Sequence, residues 1–329
     1  MPSAPHLRPT SAYHPRLAAL ALVAAIWVFV LVVLGAFTTS INAGMAFPDW
    51  PLSNGSLNPT GWLSHIAMFA EHSHRLSAGL ETLITLTLAI ALARTETRGW
   101  LRRLGWGAFL LILVQAAVGG LRVLCDRLQI PVIDTSLGRI FAMLHACLAQ
   151  VLVCALFAIA LACTRRWLER PVAVAERVRR LGAICCGLLF VQLAIAAIMR
   201  HSFAGLAIPT FPWSTAEGGL LPAVWSFKVA IHFAHRAMAA VLAVFLLTFA
   251  STLWRDRQSS VGMRTGAAVL INLLCLQIIL GASIIWTHRD PAITTAHVLV
   301  GALTLATTFG LTWLAHRDPI EQSTPLASP

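Results

Sequence analysis

Four histidines stand inside long apolar runs of this sequence, where burying an ionisable side chain is costly and calls for a functional explanation. His74, His145, His235 and His297 each fall about two helical turns inside one end of the second, fourth, sixth and eighth runs. Paired imidazoles on facing helices of a four-helix bundle can hold haem iron from both sides. One such histidine would more often only hydrogen-bond a neighbouring helix. Four at repeated positions favour haem or another metal cofactor.

Other metal-binding residues give a weaker signal. A single zinc or copper site is disfavoured, because no histidine, cysteine or carboxylate clusters tightly around any of the four. The cysteines form no CxxC motif and no pair within one loop, so we expect small apolar packing residues rather than a disulfide framework. These cysteines are Cys125, Cys147, Cys154, Cys163, Cys185, Cys186 and Cys275. We expect interfacial or solvated positions for His65, His72, His201, His232 and His288.

Charged and small residues accompany the histidines. Arg75 and Arg236 directly follow the first and third of them. They either pair with haem propionates near the membrane interface or reach to the lipid headgroups, and the sequence leaves both open. Small residues that would let a macrocycle pack closely occur at Gly119, Gly120, Gly281 and Ala282.

A carboxylate distinguishes one histidine motif from the other. Glu71 lies three residues before His74, and on a helix this spacing places both side chains on the same side. The repeat counterpart of Glu71 is His232, so the two halves of the chain are expected to do different jobs. Glu81 lies deeper in the same run and is a weaker candidate for the same work.

Eight apolar runs, each long enough to cross about 30 Å of hydrocarbon as a helix, would position these residues. Hydrophobic residues make up 58% of the 329 residues and charged residues 11%, whereas a soluble domain carries about a quarter charged residues. The net charge of +11 does not indicate nucleic acid binding, because the basic residues flank the apolar runs. We predict an all-α membrane protein with spans near 17–37, 66–93, 104–124, 140–163, 181–199, 224–253, 266–286 and 292–314.

The chain also repeats itself. The segment AGMAFPDWP at 43–51 returns as AGLAIPTFP at 204–212, and at the same offset of 161 residues His74 returns as His235. We therefore predict two tandem pseudo-symmetric four-helix bundles, related by an axis along the membrane normal. This arrangement argues against an inverted-repeat transporter. The predicted organisation is a tail at 1–16, bundles at 17–163 and 181–316, a basic linker at 164–180 and a tail at 317–329.

The distribution of basic residues predicts the orientation of the spans. Of the 24 lysines and arginines, two directly follow His74 and His235, and six lie on the histidine side of the membrane. The other sixteen, Arg8 and Arg170 among them, lie on the opposite side. Because positive residues favour the cytoplasm, we expect both termini in the cytoplasm and the histidines toward the outer side. The six are Arg122, Arg127, Arg139, Arg200, Lys228 and Arg289.

These residues together resemble a known family. The resemblance to haem A synthase, the bacterial and mitochondrial cytochrome oxidase assembly enzyme, extends from the first span to the eighth. The segments that carry it are GAFTTSINAGMAFPDWP (35–51), EHSHR (71–75), LHA (144–146), HFAHR (232–236) and AHVLVGA (296–302).

The resemblance implies an activity and its site. The C8 methyl of haem O would be oxidised to a formyl group, giving haem A, with oxygen from water. The substrate haem would lie in the N-terminal half between His74 and His145, and a haem b in the C-terminal half between His235 and His297. Glu71 matches a glutamate that the family needs for activity, and would stabilise positive charge on the methyl carbon or take its proton.

The resemblance also implies a cellular setting. We expect a multi-pass protein of the bacterial cytoplasmic (inner) membrane. Its expected partners are haem O, haem O synthase, cytochrome oxidase assembly factors, an unidentified electron partner and the lipid bilayer, with no nucleic acid. The sequence leaves homo-oligomerisation open.

Two departures from the family and two alternative functions accompany the resemblance. Some members carry a cysteine pair in the first long loop, but residues 38–65 contain no cysteine, and the usual arginine after the first span is Thr39. A di-haem b cytochrome that only transfers electrons would use the same histidines but leaves Glu71 unexplained. A prenyltransferase of the haem O synthase type is disfavoured because no DxxxD motif occurs.

Overall fold

The computed structural model describes residues 12–169, 172 and 174–322 of the chain. Parts of the predicted tails and linker, with Arg8 and Arg170, therefore lie outside the described residues. Eight long helices in this part of the chain are apolar enough to cross a membrane, which confirms the predicted fold class. They are α1 (Pro15–Ser40), α2 (Ile66–Thr95), α3 (Gly99–Leu124), α4 (Leu137–Ala162), α6 (Glu176–His201), α7 (Phe227–Arg255), α8 (Val261–Trp286) and α9 (Pro291–Ala315).

Several short elements join these helices. A two-stranded antiparallel hairpin, β1 (Gln129–Ile130) and β2 (Thr135–Ser136), closes around a 3-10 turn (Pro131–Ile133) between α3 and α4. A short helix α5 (Arg165–Glu169) lies in the predicted linker, and α10 (Arg317–Gln322) follows α9.

Most helices extend beyond the apolar runs that predicted them. The helix α3 begins at Gly99 instead of 104, and α6 begins at Glu176 instead of 181. Backbone hydrogen bonding continues through the arginines there, because their flexible side chains can reach water from a helical backbone. The helix α7 instead begins three residues late. The side chain of Ser226 caps it by accepting a hydrogen bond from the Val229 amide.

The helices pack in two groups of four, with extensive contact between the groups. In the first, α2 contacts α1 and α3, and α4 contacts α3 and α1, so α2 and α4 are diagonal. The helices α6, α7, α8 and α9 pack in the same order. Across the halves, α9 packs against α1 and α4, and α4 packs against α6. The division into bundles at 17–163 and 181–316 remains a prediction.

The loops after α1 and α6 repeat each other in backbone detail. The Ala43 amide donates to the Thr38 carbonyl at 2.8 Å, and the Ala204 amide donates to the Met199 carbonyl at 2.9 Å. The residue preceding each of these alanines has a positive φ, 56° at Asn42 and 54° at Phe203. The predicted repeat therefore extends to the shape of the loops. We call the end of the molecule that carries residues 41–65 and 202–226 the long-loop end.

Candidate functional site

The first two predicted ligands face each other across the interior of the N-terminal helices. His74 lies on α2 and His145 on the diagonal helix α4, and each follows the first residue of its helix by eight positions (66 to 74, 137 to 145). Their ring centroids are 6.4 Å apart and their planes are inclined by 81°. With metal–imidazole bonds of about 2.0–2.1 Å, two rings on opposite sides of one metal ion have centroids on the order of 6 Å apart. The pair therefore has the spacing of two axial ligands.

Two glycines provide the space for these imidazoles. A Cβ atom added at Gly35 would lie 3.0 Å from Cε1 of His74, and one added at Gly119 would lie 3.0 Å from Cε1 of His145. In the other half, a Cβ at Gly281 would lie 3.2 Å from Cε1 of His297. Two of the small residues singled out in the sequence thus seat histidine rings, whereas Gly120 packs against Trp50.

Hydrogen bonds orient some of the rings. Nδ1 of His145 lies 3.1 Å from the Gln115 carbonyl, and the Gln115 side chain donates to the His145 carbonyl at 2.8 Å. A proton on Nδ1 leaves Nε2 free for a metal, as in many histidine ligands. Nδ1 of His74 is buried near the Leu31 carbonyl without a hydrogen bond of normal geometry.

The second pair has its own polar partners. The carboxamide of Gln192, which replaces Leu31 in the repeat, lies 3.1 Å from Nδ1 of His235. A flip of this amide would let its oxygen accept the Nδ1 proton. The side chain of Gln277 lies 3.3 Å from Nε2 of His297. His235 lies on α7 and His297 on the diagonal helix α9, as the first pair does on α2 and α4.

A cavity of about 520 Å³ contains the first pair, which is within the usual range for small-molecule sites. Its wall includes apolar side chains of α1, α3 and α4 and both histidines. Glu71 is the one carboxylate among the described residues that line it. The cationic side chains in the wall are Arg75, Arg122 and Arg200. The cavity can thus accept a large, mainly apolar ligand with a metal at its centre and anionic groups at its edge.

Glu71 is buried, with 4% of its surface exposed. One carboxylate oxygen accepts a hydrogen bond from the Phe47 amide at 3.1 Å, and the other forms a 2.5 Å ion pair with Arg75. Its repeat counterpart His232 accepts from the Ile208 amide at 3.2 Å, and Nε2 of His232 lies 3.2 Å from Nε of Arg236. The two residues therefore anchor equivalent loop amides.

Arg75 and Arg236 bind backbone carbonyls of the long loops. Arg75 donates to the carbonyls of Asp49 at 2.8 Å and Leu52 at 2.5 Å. Arg236 donates to the Ile208 carbonyl at 3.0 Å. Each arginine thus attaches its loop to the helix that bears a predicted ligand. Their assignment to propionates remains a prediction.

Asp49 stabilises the first long loop from within. Its two carboxylate oxygens accept hydrogen bonds from the Asn54 and Gly55 amides, both at 2.8 Å. Burial alone would raise the pKa of Asp49, but these amides and the nearby Arg75 hold the pKa below its ordinary value. The carboxylate therefore stays charged at neutral pH and fixes the turn at 49–55.

The prediction that the flanking histidines are interfacial or solvated was wrong for two of them. His72 and His232 are buried, with 3% and 4% of their surfaces exposed. The long loops fold back over the helix ends and supply polar partners, as Ser53 does at 3.0 Å from Nδ1 of His72. His65 and His288 are exposed, and the partly buried His201 lines the cavity.

Three cavity residues come from the C-terminal half, and their place in this cavity was not predicted. The sequence analysis counted Arg200 only as an orienting charge and expected His201 to be interfacial or solvated. Arg200 and His201 lie at the end of α6, and Val298 lies on α9. No sequence signal placed them there, because the repeat aligns Arg200 with Thr39 at the offset of 161 and so assigns Arg200 to the C-terminal half. Arg122, at the end of α3, also lines the cavity and was counted only as an orienting charge.

Comparison with known proteins places the chain in a family. The model of the family described as Cytochrome oxidase assembly protein (COX15-CtaA) matches residues 18–309. The chain belongs to this family. It is 30% identical to a "Heme A synthase" of Symbiobacterium thermophilum over 270 residues, 80% of this chain and 81% of the relative. It is 27% identical to a "Heme A synthase" of Rhizorhabdus wittichii over 357 aligned positions, covering 96% of each chain.

The candidate ligands of this fold stand in pairs, without a larger metal-binding cluster in the part of the chain that the structure describes. Among the residues described, no group of three or more histidine, cysteine or acidic side chains could hold a metal ion. A metal bound in the cavity would therefore need further ligands of its own, which a porphyrin supplies with its four nitrogens.

Proposed function

We propose that this protein is a haem A synthase, which oxidises the C8 methyl of haem O to a formyl group. The observation that carries the proposal is the 6.4 Å pair of His74 and His145 on diagonal helices, in a cavity also lined by Glu71. The names of its relatives support the same activity. The overall reaction converts R–CH3 and water to R–CHO with release of four protons and four electrons, which an electron partner must accept.

The N-terminal cavity is the proposed substrate site. His74 and His145 would hold the iron of haem O from both sides. Gly35 and Gly119 have no side chain that would crowd these two rings. The apolar wall from α1, α3 and α4 excludes water from most of the macrocycle. The C-terminal pair, His235 and His297, would hold a haem b, whose bound iron supplies one-electron chemistry.

Glu71 is the proposed catalytic residue. Its carboxylate is held by the Phe47 amide and the Arg75 guanidinium, so its position is fixed before substrate arrives. This favours a role in stabilising positive charge that develops on the methyl carbon, where a low dielectric strengthens the attraction. Proton transfer to Glu71 would compete with its ion pair to Arg75.

The alternative is a di-haem b cytochrome that only transfers electrons. Both functions use the same four histidines, but only a synthase converts haem O. The test is expression with haem O synthase, followed by extraction and mass spectrometry of the haems. Haem A in the extract supports the synthase, and unchanged haem O beside two bound haems supports the cytochrome.

The setting of the proposed reaction is a bacterial cytoplasmic membrane. Both termini would lie in the cytoplasm and the long-loop end would face outward, so both haem sites would lie in the outer half of the bilayer. Haem O synthase, oxidase assembly factors and an unidentified electron partner are the proposed partners.

A further inference from the structure

The cavity wall carries more positive than negative charge. Arg122 and Arg200 line it, and neither forms a salt bridge in the part of the chain that the structure describes. Both side chains are partly buried. A guanidinium removed from water without a salt bridge is costly, especially in a membrane protein. Glu71 and Asp126 attract Arg122 from beyond salt-bridge distance, whereas Arg200 is repelled by Arg289. A bound anionic group would offset that cost.

The third cationic side chain of the wall is already engaged. Arg75 forms an ion pair with Glu71 and donates to carbonyls of Asp49 and Leu52. Arg122 donates from Nη1 to the Gly44 carbonyl at 2.7 Å. Arg200 donates from Nη2 to the Ala36 carbonyl at 2.7 Å and to Oγ of Ser40 at 3.0 Å. Each of these two guanidinium groups keeps N–H donors for a ligand, whereas Arg75 has few to spare.

Arg200 reaches this wall from the other half of the molecule. It lies at the end of α6, and its contacts Ala36 and Ser40 lie at the end of α1. At the corresponding position of α1 the chain has Thr39, whose hydroxyl donates to the Gly35 carbonyl of its own helix. The hydroxyl of Thr295 on α9 lies 3.3 Å from Oγ of Ser40, so a third helix fixes this junction.

We propose that Arg122 and Arg200 form a subsite for the carboxylate groups at the edge of the bound macrocycle, built jointly by the two halves. The proposal rests on the proposed function, because it takes the ligand of this cavity to be an iron porphyrin. Guanidinium groups pair with carboxylates through parallel hydrogen bonds, which fix orientation as well as add affinity. Two anchored carboxylates would set the rotation of the macrocycle about the His74–His145 axis, and therefore which methyl group meets Glu71.

Binding of two probes tests the subsite without catalysis. Iron protoporphyrin IX and its dimethyl ester differ only at the two carboxyl groups, where each ester replaces a negative charge with a methyl group. Each is titrated into purified protein whose C-terminal site is filled, and binding is followed by absorbance. The wild-type protein should bind the diacid more tightly than the diester. Arg200→Ala and Arg122→Ala should each weaken diacid binding on the order of tenfold or more, since hydrogen bonds to charged groups are lost, and leave diester binding unchanged.

Controls separate this role from a structural one. Arg127→Ala removes an exposed arginine at the same end of the molecule and should leave both affinities unchanged. Arg200→Lys keeps the charge without the planar fork and should fall between wild type and Arg200→Ala. If Arg200 only ties α6 to α1, Arg200→Ala would weaken the binding of both probes equally, and that result would overturn the proposal. If Arg200→Ala does not fold, equal wild-type affinity for the two probes would overturn it as well.

Failure of the subsite and failure of the proposed function give different results. If the protein binds the diacid more tightly than the diester through Arg200 but never converts haem O, the subsite is supported and the synthase activity is refuted. If the protein makes haem A but binds the two probes with equal affinity, the synthase activity is supported and the subsite is refuted.

Discussion

Glu71 and His232 occupy equivalent positions in the two halves and accept hydrogen bonds from equivalent loop amides, those of Phe47 and Ile208. Their anchoring role therefore does not require a carboxylate, since an imidazole performs it in the C-terminal half. What distinguishes Glu71 is its negative charge in the wall of a cavity that also contains His74.

This equivalence provides a sharp test of the catalytic role. Glu71→His should keep the Phe47 anchor, as His232 keeps that of Ile208, and Glu71→Gln should keep most of the shape. Both variants should retain their haem content but lose haem A formation on the order of 100-fold, the usual scale for losing a preorganised electrostatic group. Haems extracted after co-expression with haem O synthase give the measurement. Normal haem A from either variant would remove Glu71 from the mechanism.

Glu81 offers a matched carboxylate control on the same helix. It is fully buried, one oxygen accepts from Oγ1 of Thr85 at 3.2 Å, and the other has no hydrogen-bond partner. Because Glu81 is absent from the described cavity wall, Glu81→Gln should leave haem A formation within about twofold of wild type. A variant that stays folded but makes no haem A would transfer the catalytic role to Glu81.

The C-terminal ligands can be tested independently of activity. His235→Ala or His297→Ala should remove the tightly bound haem b, because one axial ligand is lost from a site with two. The measurement is the low-spin haem b absorbance per protein after purification. His288→Ala, which changes an exposed histidine, serves as the control. Full retention of bis-histidine haem b in the first two variants would refute the ligand assignment.

The glycine at the His145 ring makes a steric prediction. Gly119→Ala would place a Cβ 3.0 Å from Cε1 of His145 and 3.2 Å from Nδ1, so the ring must shift. Overpacking of this kind costs about 1–3 kcal/mol, and we expect substrate-haem affinity to fall roughly five- to hundredfold. Gly107→Ala on the same helix is the control, because nothing lies within 4 Å of its added Cβ. Equal haem affinities of the two variants would show that the His145 position is not critical.

The orientation in the membrane is a separate prediction. Reporter fusions after Arg98 and Arg180 should behave as cytoplasmic, and fusions near Asn54 and Glu217 as external. The reason is that sixteen basic residues lie on the same side of the membrane as Arg98 and Arg180, and basic residues favour the cytoplasm. The opposite pattern would place both haem sites near the cytoplasmic face.

The sequence predicted the parts of this structure that follow from periodicity and internal repetition. Hydropathy located the eight spans, and a common offset paired His74 with His235 before any contact was known. It could not show that His72 and His232 are buried, because hydropathy treats histidine as polar and does not show the loops folding back over it. Nor could it place Arg200 in the N-terminal cavity, since a repeat assigns each residue to its own half.

The contact of Arg200 with the end of α1 couples two equivalent positions of the repeat. Arg200 reaches from α6 to Ala36 and Ser40 on α1. Its counterpart in the repeat, position 39, lies on α1 itself. An arginine at position 39 would therefore place a second positive charge close to that of Arg200. The two positions therefore constrain each other, although they are 161 residues apart in the chain. In this chain the charged side chain stands at position 200 and the uncharged Thr39 lines the same cavity wall.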